Sequence, residues 1–377
     1  MERLVLGAER DRLIHRARSM PSVTLDEWEL SDIELLAVGA LSPLEGFLRE
    51  SDYDAVLDRM RLVDGTLWPL PVTLSFAQWE ADLWREGQEM ALRDPAGELV
   101  AILHQPELYP YNREVEAKLT FGTTDFSSSP GVRRLLTQGP YHVGGRVSVV
   151  NLPKHSDFLP YRLTPAQARQ EFRRRGWNQV VGFQTRNPIH RAHEYLLRCA
   201  LEMADGLMVQ PLMGPGMTEG ELPPQVRMRC CEVLVGAYLP RERTVLAVSP
   251  SGTRYAGPKE EVFHAIVRQN YGCSHFIIGR DRLATGKSHG PVDAQGIFGR
   301  FTREDLAVTP LCFDIAFYCR SCEGMATART CAHPLSERVS LSSAALQQML
   351  ADGKTPPPEF TRPEIAQILK EAHVGQT

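Results

Sequence analysis

The sequence predicts an α/β protein, mostly β in its first third and built on a parallel sheet in its centre. Two rhythms and one cluster carry that expectation. Up to about residue 155, short strand-like runs alternate with turns. From Thr164 onward, strands alternate with helices at roughly 30 residues per unit, the spacing of right-handed crossovers. Near the end, Cys319-Arg-Ser-Cys322 and Cys331-Ala-His333 place four metal-ligand side chains in one short stretch. Three units are expected: 1–155, 156–315 and 316–377.

In the first unit, Leu70–Phe76, Met90–Leu92, Leu99–Leu103 and Arg146–Val150 are the expected strands, with Asp94-Pro-Ala-Gly97 as a turn. Asn151 to Leu163, carrying Pro153 and Pro160, is the expected linker. Thr164 can cap a helix over Pro165–Arg175. The central strands are expected at Gln179–Phe183, Gly206–Pro211, Thr244–Val248, His275–Ile278 and Ala307–Leu311. Helical patterns at His190–Met203, Pro224–Tyr238 and Lys259–Asn270 separate them. In such a sheet, ligands bind beyond the carboxyl ends of the strands. A helix over Ala344–Leu350, a turn at Pro356-Pro-Pro358 and a last helix before Glu371 complete the chain.

Composition narrows the function. The net charge of −4, from 42 basic and 46 acidic residues, gives no electrostatic footprint for nucleic acid. The N-terminus is charged throughout, without the apolar core of a signal peptide, and no apolar run approaches the ~20 residues of a membrane helix. Cys199, Cys230, Cys231, Cys273 and Cys312 lie in apolar contexts, as expected of buried free thiols in a reducing, cytoplasmic compartment.

The most informative stretch is QTRNPIHRAH, Gln184 to His193. An apolar strand ends in a polar turn, and Pro188 suits the opening of the helix that follows. His190 and His193, three apart, share one face at its start. Helix starts carry orphan N–H groups and partial positive charge, which favour phosphate. Arg186 and Asn187 occupy the turn, where a second anion can be held. A zinc-protease pair would need His at i, i+4 with a neighbouring Glu, and this spacing differs.

After the fourth central strand comes Gly279-Arg280-Asp281. Gly279 allows close backbone approach to a ligand, and Arg280 offers a planar fork for phosphate or sulfate. Cys319, Cys322, Cys331 and His333 suit a closed, tetrahedral, structural Zn²⁺ site; a reduced metal-free cluster is the alternative.

QTRNPIHRAH closely resembles the QxRNPxHxxH signature of the ATP sulfurylase (sulfate adenylyltransferase) family, within the HxGH-type nucleotidyltransferases. ALSPLEGFL (Ala40 to Leu48), RYAGPKEEVFHAIVRQNYG (Arg254 to Gly272) and PPPEFTRPEIAQILKE (Pro356 to Glu371) resemble family segments too. Some bacterial members carry a similar Cys/Cys/Cys/His loop. The resemblance implies a PUA-like β-rich N-terminal domain, a central Rossmann-like nucleotidyltransferase domain and a small C-terminal domain with the zinc loop. It also implies the reaction: ATP and sulfate give adenosine 5′-phosphosulfate and pyrophosphate, reversibly. Arg186 is then expected to hold sulfate, helped by Gln184 and Leu283. His190, His193 and Asn187 are expected on the ATP phosphates, with Thr185 ordering the turn and Arg280 balancing the far side. Gly279, Asp281 and Arg282 complete the expected ATP contacts. Mg²⁺ on the triphosphate and a homo-oligomer are implied as well.

The chain departs from the family in places. Gln210 replaces the first His of HPLVG, Thr253 replaces the Met of MRYAGP, and Arg282-Leu283 replaces the His-Ala of GRDHAG. Ser342–Gln347 reads SSAALQ where the family has SGTKVR. GxxxxGK[ST] does not occur, so no fused adenylylsulfate kinase is expected. Two further readings stay open: a nucleotidyltransferase with another acceptor anion, and a weakly active paralogue serving as a binding subunit.

Overall fold

Paired backbone groups organise the N-terminal third into one mixed sheet. The computed structural model of the chain describes residues 1–217, 221–279, 293–339 and 343–374. Among them, Ser22–Thr24, Met90–Arg93, Leu99–Pro110, Tyr141–Val149 and Gly46–Phe47 lie side by side in that order. Leu74–Phe76 pairs with Tyr141–Val149 as well. Leu99 and Ile102 pack with Leu13 of the helix Gly7–Arg16, while Val100 and Leu103 join the main core on the other side. Cover on both faces explains why this strand is continuously apolar. The expected strand Leu70–Phe76 forms only from Leu74. Pro69 and Pro71 flank Leu70 and remove two ladder donors.

The central strands are Val180–Thr185, Gly206–Pro211, Thr244–Leu246, His275–Ile278 and Thr309–Cys312. All their pairings are parallel, and they lie in the order fifth, fourth, first, second, third. The order reverses between the first and fourth strands, so their carboxyl ends border a crevice. Thr164 caps the helix Pro165–Arg174 with a reciprocal box: its hydroxyl accepts from Gln167 N at 3.2 Å, and Gln167 Oε1 accepts from Thr164 N at 2.8 Å. The helix Pro224–Val233 widens into a π-helical turn over Leu234–Tyr238.

One apolar core runs through both parts. Trp68 and Val72 of the N-terminal third share a cluster with Val262, Phe263 and Phe276. The Trp68 and Phe263 rings meet edge to face at 5.9 Å. Burying one such side chain contributes about 1.5–3 kcal/mol, so the join between the two parts is held by ordinary core packing.

Downstream, Gly324–Thr327, Ala316–Cys319 and Arg338–Val339 form a three-stranded antiparallel sheet. Helices follow at Ser343–Ala351 and Pro363–Val374. Ile365, Ile368 and Leu369 of the last helix bury against Cys230, Cys231 and Leu234. Cys230, Cys231 and Cys273 are buried as expected, but Cys199 is half-buried and Cys312 is exposed. Cys312 closes the edge strand of the central sheet, beyond the reach of the core. Burial pushes the Cys230 and Cys273 thiols up to about 12, which leaves neither as a nucleophile. Among the described residues, no helix is long and apolar enough to cross a membrane.

Candidate active site

The first and fourth central strands run side by side, with Val181 opposite His275 and Gly182 opposite Phe276. Where they end, a cavity of about 130 Å³ opens. Gln184, Thr185, Arg186, Asn187, His193 and Gly279 line it together, as do Glu261 and the segment from Phe313 to Ala316. Arg280, Asp281, Arg282 and Leu283 lie outside the described residues. A larger cavity, about 820 Å³, lies between the helix Glu27–Ala37 and the loop from Met213 to Met217. It reaches Gly216, Tyr255 and His155 but neither His190 nor His193.

The turn after the first strand is held by its own side chain. Thr185 Oγ1 accepts from Asn187 N at 3.0 Å and donates to Asn187 O at 2.9 Å. Arg227, itself buried, donates through Nη1 to Leu212 O at 2.8 Å and to Arg186 O at 3.3 Å. Burial, and then the nearby Arg186 charge, lowers the Arg227 pKa. The turn is thus fixed from inside by a hydroxyl and from behind by a cation.

Arg186 carries the most telling contacts. Its Nη1 donates to Tyr255 Oη at 2.9 Å, and its Nη2 donates to Gly216 O at 2.6 Å and Glu221 Oε2 at 2.5 Å. Its guanidinium also lies 5.2 Å from the Tyr255 ring centroid. The side chain is only 8% exposed. A fork this deeply placed needs an anionic partner, and here a carboxylate takes that part.

The helix forms over Arg191–Leu201, with His190 as its cap in extended geometry. His190 N donates to His193 Nδ1 at 3.2 Å. With Nδ1 accepting, Nε2 is the ring nitrogen left to donate. The two rings lie 6.2 Å apart, but His190 packs 4.3 Å from the Phe360 ring and is not among the side chains lining the cavity. The helix start also meets the C-terminal segment: Arg191 N donates to Phe360 O at 3.0 Å. Part of the expected anion-binding start is therefore already satisfied within the chain. One turn on, buried Glu194 accepts from Arg362 at 2.6 and 2.8 Å and from Arg198 at 3.0 Å.

The cysteine cluster closes at atomic distances. His333 Nδ1 lies 3.5 Å from Cys319 Sγ, 3.2 Å from Cys322 Sγ and 3.6 Å from Cys331 Sγ, and Cys322 Sγ lies 3.7 Å from Cys331 Sγ. All four ligand atoms fall within 4.8 Å of one another. A tetrahedral ion with Zn–S bonds of about 2.3 Å requires S···S edges of about 3.8 Å. The cluster fits a metal ion of that geometry. Cys319 ends the strand that Ala316 begins, so one residue of the cluster shares a short strand with a wall of the cavity.

Several of these contacts are invisible to local sequence patterns. Tyr255, Glu221, Phe360 and Arg362 reach the site from distant positions, and Phe313 to Ala316 show only ordinary edge-strand composition. Asp314 is the one signal in that segment, a carboxylate just past a strand end.

The ATP-sulfurylase family profile matches residues 160–372, and the PUA-like domain profile matches residues 1–152. The sulfate adenylyltransferase of Symbiobacterium thermophilum is 50% identical over 371 residues, covering 98% of this chain and 94% of the relative. That of Halothermothrix orenii is 45% identical over 98% of this chain and 96% of its own length. The solved hexameric APS kinase from Thiobacillus denitrificans superimposes with a TM-score of 0.79 at 27% identity, over 98% of this chain. The chain spans 66% of that protein's length.

Proposed function

The chain belongs to the ATP-sulfurylase family, and from that premise we propose how its cavity serves the reaction. It is a nucleotidyltransferase, a sulfate adenylyltransferase that joins ATP and sulfate into adenosine 5′-phosphosulfate with release of pyrophosphate. Sulfate attacks the α-phosphorus directly, so neither a side-chain nucleophile nor a general base is required. The site must hold two mutually repelling anions in line and neutralise the charge that develops.

Arg186 binds the acceptor sulfate with Gln184 beside it, displacing the Glu221 carboxylate from its fork. His193 donates from Nε2 to the departing pyrophosphate. Asn187 binds the same phosphates from the turn that Thr185 fixes. His190, capping the helix against Phe360, sets the position of His193 and supports the phosphate side. Gly279, Arg280, Asp281 and Arg282 complete the ATP side, and Leu283 the sulfate side. The single observation that carries this reading is the convergence of Gln184, Arg186, Asn187 and His193 on one cavity at the strand switch point.

Mg²⁺ would be held chiefly by the triphosphate and water, with Glu261 and Asp314 as nearby carboxylates. Cys319, Cys322, Cys331 and His333 would hold a structural Zn²⁺, whose role is to order the loop. Residues 1–155, 156–315 and 316–377 serve as supporting, catalytic and loop-bearing units. The protein works as a cytoplasmic homo-oligomer; the solved hexameric APS kinase supports the assembly.

A different acceptor is the second reading, favoured by Gln210. This residue stands where the family has a histidine; it is fully buried on the second central strand, in register with Gln184 of the acceptor side. Pyrophosphate release from ATP separates the readings. Release with sulfate supports the first, release with another oxyanion such as molybdate but not sulfate supports the second, and release with neither removes both.

A further inference from the structure

We infer that Arg268 is a positioning residue for the acceptor anion, holding the Gln184 amide with its N–H groups toward the cavity. The inference rests on the reading of Gln184 and Arg186 as the acceptor side. Arg268 lies on the helix Pro258–Tyr271 and is wholly buried. Its stem crosses the first central strand at Gly182, where an added Cβ would come within 3.1 Å of Arg268 Cγ. Gly182 and Gln184 share one face of that strand, so the guanidinium is delivered two residues further along. There Nη2 donates to Gln184 Oε1 at 2.7 Å. Phe276, the register neighbour of Gly182, lies under the guanidinium at 5.8 Å.

This placement is unfavourable for packing alone. Among the described residues no carboxylate forms an ion pair with Arg268, and its Nε and Nη1 have no acceptor. Burial brings its pKa down to about 10, so it remains a cation at neutral pH. A buried cation without an ion-pair partner is costlier to hold than a methionine in the same space, even with Glu261 on the same helix contributing at longer range. The return lies in direction. Arginine offers only donors, so the amide of Gln184 must turn its oxygen to Arg268. Its NH₂ then points the other way, on the side of the cavity that Gln184 and Arg186 both line, where an anion needs donors. A fixed positive charge also stands behind the acceptor side, shielded from water.

The test is steady-state kinetics on Arg268→Met, Arg268→Lys, Gln184→Ala and the double variant Arg268→Met with Gln184→Ala, with thermal unfolding of each. Arg268→Met should raise the sulfate KM at least about tenfold, as for a lost hydrogen bond to a charged group. The ATP KM should stay within about twofold, and the melting temperature should hold or rise. Arg268→Lys, which also offers only donors, should recover most of the sulfate affinity. In the Gln184→Ala background, Arg268→Met should add little. Equal losses for both substrates, or full additivity in the double variant, would overturn the assignment. Should Arg268→Met not fold, Arg268→Gln takes its place, because its amide can turn either end toward Gln184. A folded Arg268→Gln with parental sulfate KM would overturn the role as well. If the parent protein releases no pyrophosphate with sulfate, the reaction and the positioning role fall together; a parental sulfate KM in Arg268→Met removes the positioning role alone.

Discussion

Arg186 Nη2 donates to Glu221 Oε2 at 2.5 Å, so the cation assigned to the acceptor anion already holds a carboxylate. Substrate and side chain therefore compete for one fork. Removing one partner of a buried pair leaves the other charge uncompensated, typically a loss of 3–5 kcal/mol. Glu221 is 22% exposed, which puts the expected cost at the low end. Glu221→Gln should lower the melting temperature in anion-free buffer. Added sulfate should then raise it more than in the parent protein, because ligand binding to the folded state restores the missing partner. The sulfate KM should fall severalfold. Thermal shift across a sulfate titration checks this, and a smaller sulfate-induced rise in the variant would contradict it.

The second prediction concerns the tie between the site helix and the C-terminal segment. Glu194 is only 3% exposed and is held by Arg362 at two distances below 3 Å. Arg198 remains as a second partner, so Arg362→Ala should cost about 2 kcal/mol rather than the full 3–5 of a broken buried pair. Denaturant unfolding measures it. Unchanged stability would show that the C-terminal segment does not brace the helix start.

For the cysteine cluster, metal binding to a folded four-ligand site is worth on the order of 10 kcal/mol near neutral pH. Cys322→Ser should lower both the bound metal and the melting temperature while leaving Arg186 and His193 in place. Protein purified without chelator should carry about one zinc per chain by elemental analysis. Metal-free protein of unchanged stability would remove the structural role.

Glu29 supplies a pH dependence. It is buried, and burial first, with the neighbouring Asp26 charge second, pushes its pKa from 4.5 up to about 8. A raised folded-state pKa stabilises the fold fully below the unfolded value and loses that contribution as pH rises through the folded value. Between pH 4.5 and 8 the parent should thus lose stability relative to Glu29→Gln, which cannot titrate. Parallel stability curves for the two proteins would contradict the shift.

What the sequence disclosed follows from range. The strand, turn and helix around Gln184–His193 are local, and Thr185 and the two histidines announce them through side chains acting within a few residues; Pro188 lies in the turn and does not open the helix, which begins at Arg191. The parallel sheet was legible for the same reason, since each strand–helix unit repeats its own pattern. His190 was legible as a helix-start residue, yet its packing on Phe360 was not, because that ring arrives from the far end of the chain. Glu221 was likewise hidden; Tyr255 stood in the family-like segment Arg254–Gly272, yet nothing there marked it as a partner of Arg186. Leu70 shows the opposite failure, a strand-like residue that two flanking prolines keep out of the ladder. Arg280 to Leu283, prominent in the sequence, lie outside the described residues.

The central claim is that Arg186 and His193 serve the two anions of one adenylyl transfer. Its most direct test is the rate of ATP formation from adenosine 5′-phosphosulfate and pyrophosphate by the purified protein, beside Arg186→Ala and His193→Ala. The parent should form ATP, and each variant should lose 10²–10³ in rate, about 3–4 kcal/mol of transition-state stabilisation. Arg186→Lys should not restore it, because a point charge lacks the bidentate fork. Near-parental ATP formation by either alanine variant would contradict the assignment.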